Sequence, residues 1–200
     1  MNSVSPPPIE FDKTISQIDR DRYQGLYDCF IKAAKEYEKE HGTTFIIGTE
    51  RRCRPHFEGN GNGRGVIVTF FTESMDTSFN HLGFNINQEK RTRAPYHYWF
   101  NTQLAMQRVG VGFGLVSSAT TINELNRILE ANKWSNFRFE RANQGPILLK
   151  NEVPINGREL SDVTASIKAE LDNILKKSEE GLAKLGVQTG QHLTKKKEYK

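Results

Sequence analysis

Cysteine is scarce in this chain, and long apolar runs are absent from it. Of its 200 residues only Cys29 and Cys53 are cysteines, too few for the disulfide framework that holds small secreted domains together. No apolar stretch approaches the roughly 20 residues that a helix needs to cross a bilayer, and the N-terminus lacks the basic start and apolar core of a signal peptide. The sequence therefore predicts a soluble protein without membrane association, located in the cytoplasm, or in the nucleus if the source is a eukaryote.

Motifs of common catalytic and metal sites are also missing. Cys53 and His56 have the spacing of metal ligands, but no second cysteine–histidine pair completes a tetrahedral zinc site. The acidic residues do not form the carboxylate cluster with a nearby lysine that a magnesium-dependent nuclease would use, and there is no nucleophile elbow for acyl transfer. We therefore predict no metal and no cofactor, and favour a non-enzymatic role.

The composition suits one compact domain with extended ends. Hydrophobic residues make up 36% of the chain and charged residues 26%, and a domain of this size buries roughly 70% of its unfolded surface without disulfides or metals. We predict an α+β fold, in which a mostly antiparallel β-sheet meander is flanked by helices and followed by a long C-terminal helix. The predicted boundaries are a flexible proline-containing arm (1–18), the α+β domain (19–156), the amphipathic helix (157–185) and a disordered basic tail (186–200).

Periodic patterns locate the elements of this fold. Between about Asp19 and Gly42, apolar residues recur at helical spacing on one face: Tyr23, Leu26, Tyr27, Phe30, Ile31, Ala34 and Tyr37. Runs of β-prone residues predict strands at 44–48, 66–71, 82–87, 96–100 and 109–116, a helix from Thr121 and a closing hairpin over 137–149.

Glycines occupy positions 110, 112 and 114 of one predicted strand. Because alternate residues share a face, that face of the strand carries no side chains there. Something must approach it closely, and packing by a helix or an aromatic ring is favoured over a ligand.

A second glycine-rich stretch, residues 59–65, precedes a predicted strand. Phosphate-binding loops precede a helix instead, and this stretch has no Gly-Lys-Ser/Thr ending. We therefore interpret it as a mobile hairpin loop in which Arg64 is a flexible phosphate contact.

The last long element carries a partial heptad pattern. Leu160, Ile167 and Ile174 recur every seven residues, and Leu171 occupies the complementary position. Polar or small residues weaken the seam at three places: Thr164, Ser178 and Gly181. Packing on its own domain and packing on a partner helix, including a homodimer, are equally compatible with this pattern.

Arginine-rich segments lie beside aromatic residues in the middle third of the chain. Arginine guanidinium groups suit phosphates, and exposed aromatic faces suit bases. The candidate nucleic-acid-binding residues are Arg51, Arg52, Arg54, Arg64, Lys90, Arg91, Arg93, Tyr96, Tyr98 and Trp99. The alternative interpretation is a solvated edge strand whose arginines pair with neighbouring glutamates.

The favoured hypothesis is a nucleic-acid-binding module, with DNA preferred to RNA, that serves as a recognition or accessory component of a larger assembly. One alternative is a phosphodiester-cleaving nuclease that uses the same surface, with His81 and His97 as acid–base groups. Another is a protein-interaction module or dimeric adaptor, in which the aromatics are hot spots and the helix over 160–185 pairs with a partner.

Overall fold

A computed structural model of the chain describes residues 8–47, 55–58, 65–73, 96–115 and 147–184. In chain order the elements are α1 (Gln17–His41), β1 (Phe45–Ile47), β2 (His56–Glu58), β3 (Gly65–Thr72), β4 (Tyr96–Gln103), β5 (Arg108–Leu115), β6 (Ile147–Pro154) and α2 (Leu160–Lys184). The strands form one antiparallel sheet, so the predicted α+β class is confirmed. The predicted strand at 82–87, the helix from Thr121 and the hairpin strand near 137 lie outside the described residues.

The centre of the sheet is a meander. β3, β4, β5 and β6 are neighbours in that order, and each pairs antiparallel with the next. β1 and β2 both pair with the outer edge of β3, one after the other, since Phe45 lies opposite Thr72 and His56 lies opposite Ile67. The outer edge is therefore made of two short strands rather than one long one.

Helix α1 forms because its ends are capped and its apolar residues share one face. Ser16 is the N-cap, and its Oγ accepts a hydrogen bond of 3.1 Å from the backbone N–H of Asp19. Gly42 ends the helix in the left-handed region at φ 66° and donates to the carbonyl of Glu38. All seven residues of the predicted apolar stripe are buried.

The core lies between the sheet and the two helices. Val68, Phe100 and Val111 point from β3, β4 and β5 toward the helices and have no exposed surface. Phe30 of α1 stacks on Phe100 with ring centroids 4.5 Å apart. Burial of each such side chain contributes about 1.5–3 kcal/mol, so this layer holds the sheet and the helices together.

Helix α2 packs on α1 and on β5 and β6. Its buried apolar residues are Val163, Ile167, Leu171, Ile174 and Leu175. Leu160, the first predicted seam residue, is 53% exposed, so the buried seam begins one turn later. Of the two predicted arrangements, the structure shows the helix packed within its own chain.

The polar residues of this seam are buried and hydrogen bonded. The hydroxyl of Thr164 donates to the carbonyl of Leu160 at 2.7 Å, and Ser178 Oγ lies 2.8 Å from the hydroxyl of Tyr98. Pairing removes most of the cost of burying these groups. The two residues therefore belong to the core contact, although their polarity weakened the heptad pattern.

The described part of the predicted N-terminal arm packs on the edge of the sheet. Glu10 forms a parallel bridge with His56, and its backbone N–H donates to the carbonyl of Pro55 at 3.5 Å. Ile9 is buried, and the ring of Phe11 lies 6.3 Å from that of Tyr23. These apolar contacts hold residues 8–11 alongside β2. Within the described ranges, no helix is long and apolar enough to span a bilayer.

Candidate nucleic-acid interface

The sheet has a second face, which is turned away from the helices. Side chains alternate along a strand, so on β4 the residues Trp99 and Asn101 point opposite to the buried Phe100. Ile67 and Thr69 of β3 lie on the same face. All four are half-buried, whereas the residues between them are fully buried against the helices. This second face is the one that lies opposite the two described helices.

Trp99 covers the glycines of β5. A Cβ added to Gly112 would lie 2.2 Å from Cζ2 and 2.7 Å from Nε1 of the indole, and one added to Gly110 would lie 3.1 Å from Cζ3. Atoms cannot approach so closely, so both positions require glycine while the ring lies there. The prediction was a close neighbour, with packing by a helix or an aromatic ring favoured over a ligand, and the structure shows an aromatic ring at Gly110 and Gly112.

Trp99 also occupies the middle of a row that crosses the sheet. Thr69 of β3 pairs with Trp99, Trp99 pairs with Gly112 of β5, and Gly112 pairs with Lys150 of β6. Directly paired residues share a face of the sheet. A basic residue position therefore lies one strand beyond the glycine that the indole covers.

Arg108 lies on the same face, but an acidic partner balances its charge. Its Nη1 is 2.5 Å from Oε2 of Glu152, and its Nε donates to Oε1 of Gln103 at 2.9 Å. The side chains of Arg108 and Glu152 are about one-third exposed, so the pair contributes little stability. The ion pair does hold the guanidinium of Arg108 against Glu152 at the start of β5.

The structure corrects the predicted role of Tyr98. Its side chain has no exposed surface, and its ring stacks on Phe70 at 5.4 Å, so it is not available to a base. Burial is the largest cause of a pKa raised far above the ordinary value for tyrosine. The alternation of side chains along β4 could have predicted that only one of Tyr98 and Trp99 faces away from the helices, because the two residues are neighbours and cannot share a face.

Tyr96 and His97 are placed by backbone register alone. Tyr96 lies opposite Leu115, and His97 lies opposite Gly114 of β5. His81, the other candidate acid–base group, lies outside the described residues. So do seven of the candidate basic residues, whose roles stay predictions: Arg51, Arg52, Arg54, Arg64, Lys90, Arg91 and Arg93.

The attachment points of the first arginine-rich segment are nevertheless fixed. The chain leaves the outer edge of β3 after Ile47, which lies opposite Phe70, and rejoins it at His56, which lies opposite Ile67. These register positions are on either side of Thr69, the neighbour of Trp99. The described residues that flank the segment with Arg51, Arg52 and Arg54 therefore lie on either side of the row of Trp99.

Residues 59–64 join the two strands of a hairpin. β2 and β3 are consecutive and antiparallel, and Glu58 is paired with Gly65 at their ends. The predicted hairpin connection is thus confirmed by the strands that flank it. A Cβ on Gly65 would lie 1.6 Å from the carbonyl oxygen of Thr102, so close backbone approach requires glycine at the start of β3.

An apolar hollow of about 390 Å³ lies elsewhere, between the first turns of the two helices and the loops beside them. Leu104, Ile155 and Leu160 line it, and Arg22 and Arg158 contribute polar groups to its wall. It is separate from the face of Trp99.

No metal cluster occurs within the described ranges, where no group of three or more histidine, cysteine or acidic side chains could hold an ion. Comparison with known proteins finds no matching family model, no matching curated protein and no matching solved structure. The functional inference therefore rests on the residues and geometry of this chain.

Proposed function

We propose that this protein binds nucleic acid, with DNA preferred to RNA, as a recognition or accessory module of a larger assembly. The contact surface is the second face of the sheet together with the arginine-rich segments that adjoin it. The observation that carries the proposal is the position of Trp99. Its half-buried indole lies on the sheet face opposite the two described helices, and the described residues that flank the segment containing Arg52 and Arg54 lie on either side of its row.

The chemistry of this surface supports the proposal. An aromatic ring fixed on a sheet offers a surface on which a base can stack, and stacking does not depend on base identity. Arginine forks suit phosphate oxygens, which provide most of the affinity in nucleic-acid complexes, and both arginine-rich segments are close in sequence to strands of this sheet. The chain carries a net charge of +4, which favours association with a polyanion.

A reducing compartment, either the cytoplasm or the nucleus, is part of the proposal. Cys29 is a buried free thiol beneath the first turn of α2, where its Sγ lies 3.5 Å from the carbonyl oxygen of Leu160. A buried thiol behaves as a small apolar side chain and needs no disulfide partner.

Fluorescence anisotropy with labelled single- and double-stranded DNA and RNA, at low and moderate salt, tests the proposal. We expect binding that weakens steeply with salt, and a double change Arg52→Ala and Arg54→Ala that lowers the salt slope by about one for each phosphate that the protein no longer neutralises. Arg22→Ala is the matched control, because Arg22 is an exposed arginine on α1. Absence of binding to every probe at low salt would overturn the proposal.

A further inference from the structure

We infer that the ligand is single-stranded where it meets the sheet, with one unpaired base stacked on the indole of Trp99. This inference rests on the proposed function and adds the form of nucleic acid that the site takes. The geometry that supports it is the contact between Trp99 and the glycines of β5, together with the groups beside the ring.

The sheet holds the indole in one place. Trp99 begins on β4 and extends over Gly112 and Gly110 of β5, so one side of the ring is against the strand backbone. The other side of the ring is turned away from the backbone of β5. A ring held in this way loses little conformational freedom on binding, which favours affinity.

An amide lies next to the ring. The Oδ1 of Asn101 would be 2.4 Å from a Cβ on Gly110, so the amide of Asn101 also extends over the glycine strand, beside the indole. Asparagine offers both a donor and an acceptor, which can pair with the edge of a base. A base stacked on Trp99 would therefore have a hydrogen-bonding group at its edge.

A basic residue position lies in the same row as Trp99. Lys150 of β6 is paired with Gly112, and strands are spaced about 4.8 Å apart, so its backbone is roughly 10 Å from that of Trp99. A single strand that crosses the sheet along this row would bring a phosphate to this position while one base meets the ring.

A duplex does not fit this arrangement. Bases in a duplex are stacked on both sides and show only their edges in the grooves. Stacking one of them on Trp99 would require its extrusion, which costs a few kcal/mol. A single strand has no such cost, so the site should bind single strands in preference to a duplex.

The test uses the emission of Trp99. Trp99 and Trp134 are the two tryptophans of the chain, and Trp134→Phe leaves Trp99 as the only tryptophan emitter. We expect a thymidine oligonucleotide to quench this emission saturably and to bind at least about tenfold more tightly than a hairpin duplex of the same length. Trp99→Leu, which keeps apolar volume over the glycines, should weaken single-strand binding about five- to hundredfold and leave duplex binding unchanged.

The outcomes separate this inference from the proposed function. Salt-sensitive binding that is equal for single strand and duplex, and is unchanged in Trp99→Leu, would overturn the inference and leave the proposed function standing. Failure of every probe to bind would overturn the proposed function itself. Thermal unfolding of Trp99→Leu is the folding control, and Trp99→Phe, which keeps an aromatic ring, should recover part of the affinity.

Discussion

The two faces of the same sheet are built from alternate residues of the same strands and have different properties. On the helix side, Phe100 and Val111 are fully buried, and buried polar groups such as the Tyr98 hydroxyl are hydrogen bonded. On the other side, Trp99 and Asn101 are half-buried over strand glycines. The difference teaches that full burial against the two described helices can be assigned by the parity of a residue in its strand.

The largest expected effect comes from a truncation on the helix side. Phe100→Ala should lower the free energy of unfolding by about 3–5 kcal/mol, because it removes a ring stacked on Phe30 and leaves a cavity. Trp99→Leu, one residue away, should cost less than about 1.5 kcal/mol. Chemical denaturation of both variants measures the difference, and equal losses would break the comparison between the faces.

Alkaline pH should also act on the helix side. Burial is the largest cause of the raised pKa of Tyr27, Tyr37 and Tyr98, and it takes that of Tyr37 to about 12. These tyrosines ionise in the unfolded chain near the ordinary value of 10.0 and stay neutral in the folded one, so their contribution to stability is complete below pH 10 and is lost as pH rises toward 12.

At about pH 11 the expected loss is on the order of 1 kcal/mol for each of these tyrosines. Denaturant midpoints between neutral pH and that value measure the loss, and absorbance at about 295 nm counts the ionised tyrosines. Three tyrosines that ionise only on unfolding would support the assignment. Full ionisation of all six in the folded protein would contradict it.

Adding a methyl group at Gly112 tests the packing on the second face of the sheet. Gly112→Ala places a Cβ 2.2 Å from Trp99 Cζ2, so the indole must move, at a cost of about 1–3 kcal/mol. We also expect single-strand binding to weaken. Gly25→Ala is the contrast, because a Cβ there meets Leu160 at an ordinary 3.8 Å and should stabilise α1 by about 0.5–1 kcal/mol.

A double-mutant cycle tests the cause of the Gly112→Ala loss. Adding Trp99→Ala should remove most of the penalty, because the clash depends on the ring. If the penalty is the same with and without the indole, strand backbone strain rather than the ring is responsible, and the assigned contact is wrong.

The smallest effect concerns the ion pair on the second face. Glu152→Gln should change stability by less than about 1 kcal/mol, because both partners are partly exposed. It removes a carboxylate from Arg108 next to the proposed contact, so affinity for single strands should rise a few-fold and the salt dependence should steepen. Anisotropy measures both quantities, with Glu159→Gln, an exposed residue before α2, as the control.

Local side-chain patterns explain what the sequence could predict. Apolar residues at helical spacing predicted α1 and α2, and a continuous run of β-branched and aromatic residues predicted β3. The arrangement of β1 and β2 along one edge of β3 follows from no such pattern, because it depends on pairing between distant residues. The same reason explains why the packing partner of α2 could not be chosen in advance.

The candidate site was predicted less well for a related reason. The run from Tyr96 to Phe100 reads as one aromatic cluster, yet a strand divides such a run between two faces. Trp99 is half-buried on the face opposite the two described helices, and Tyr98 is part of the core. The glycines of β5 did carry a signal, since their missing side chains indicated a close neighbour, although not which ring supplied it.

The pairing of α1 with α2 has a consequence for synthesis of the chain. Cys29 and Leu160 touch although they are 131 positions apart, and Glu40 forms an ion pair with Lys168. A ribosome makes α1 before α2, and α2 emerges only after the six described strands have been made. The nascent chain must therefore carry the apolar stripe of α1 incompletely covered, which exposes it to chaperones and to self-association. Release of α2 from the ribosome is the event that allows the domain to close.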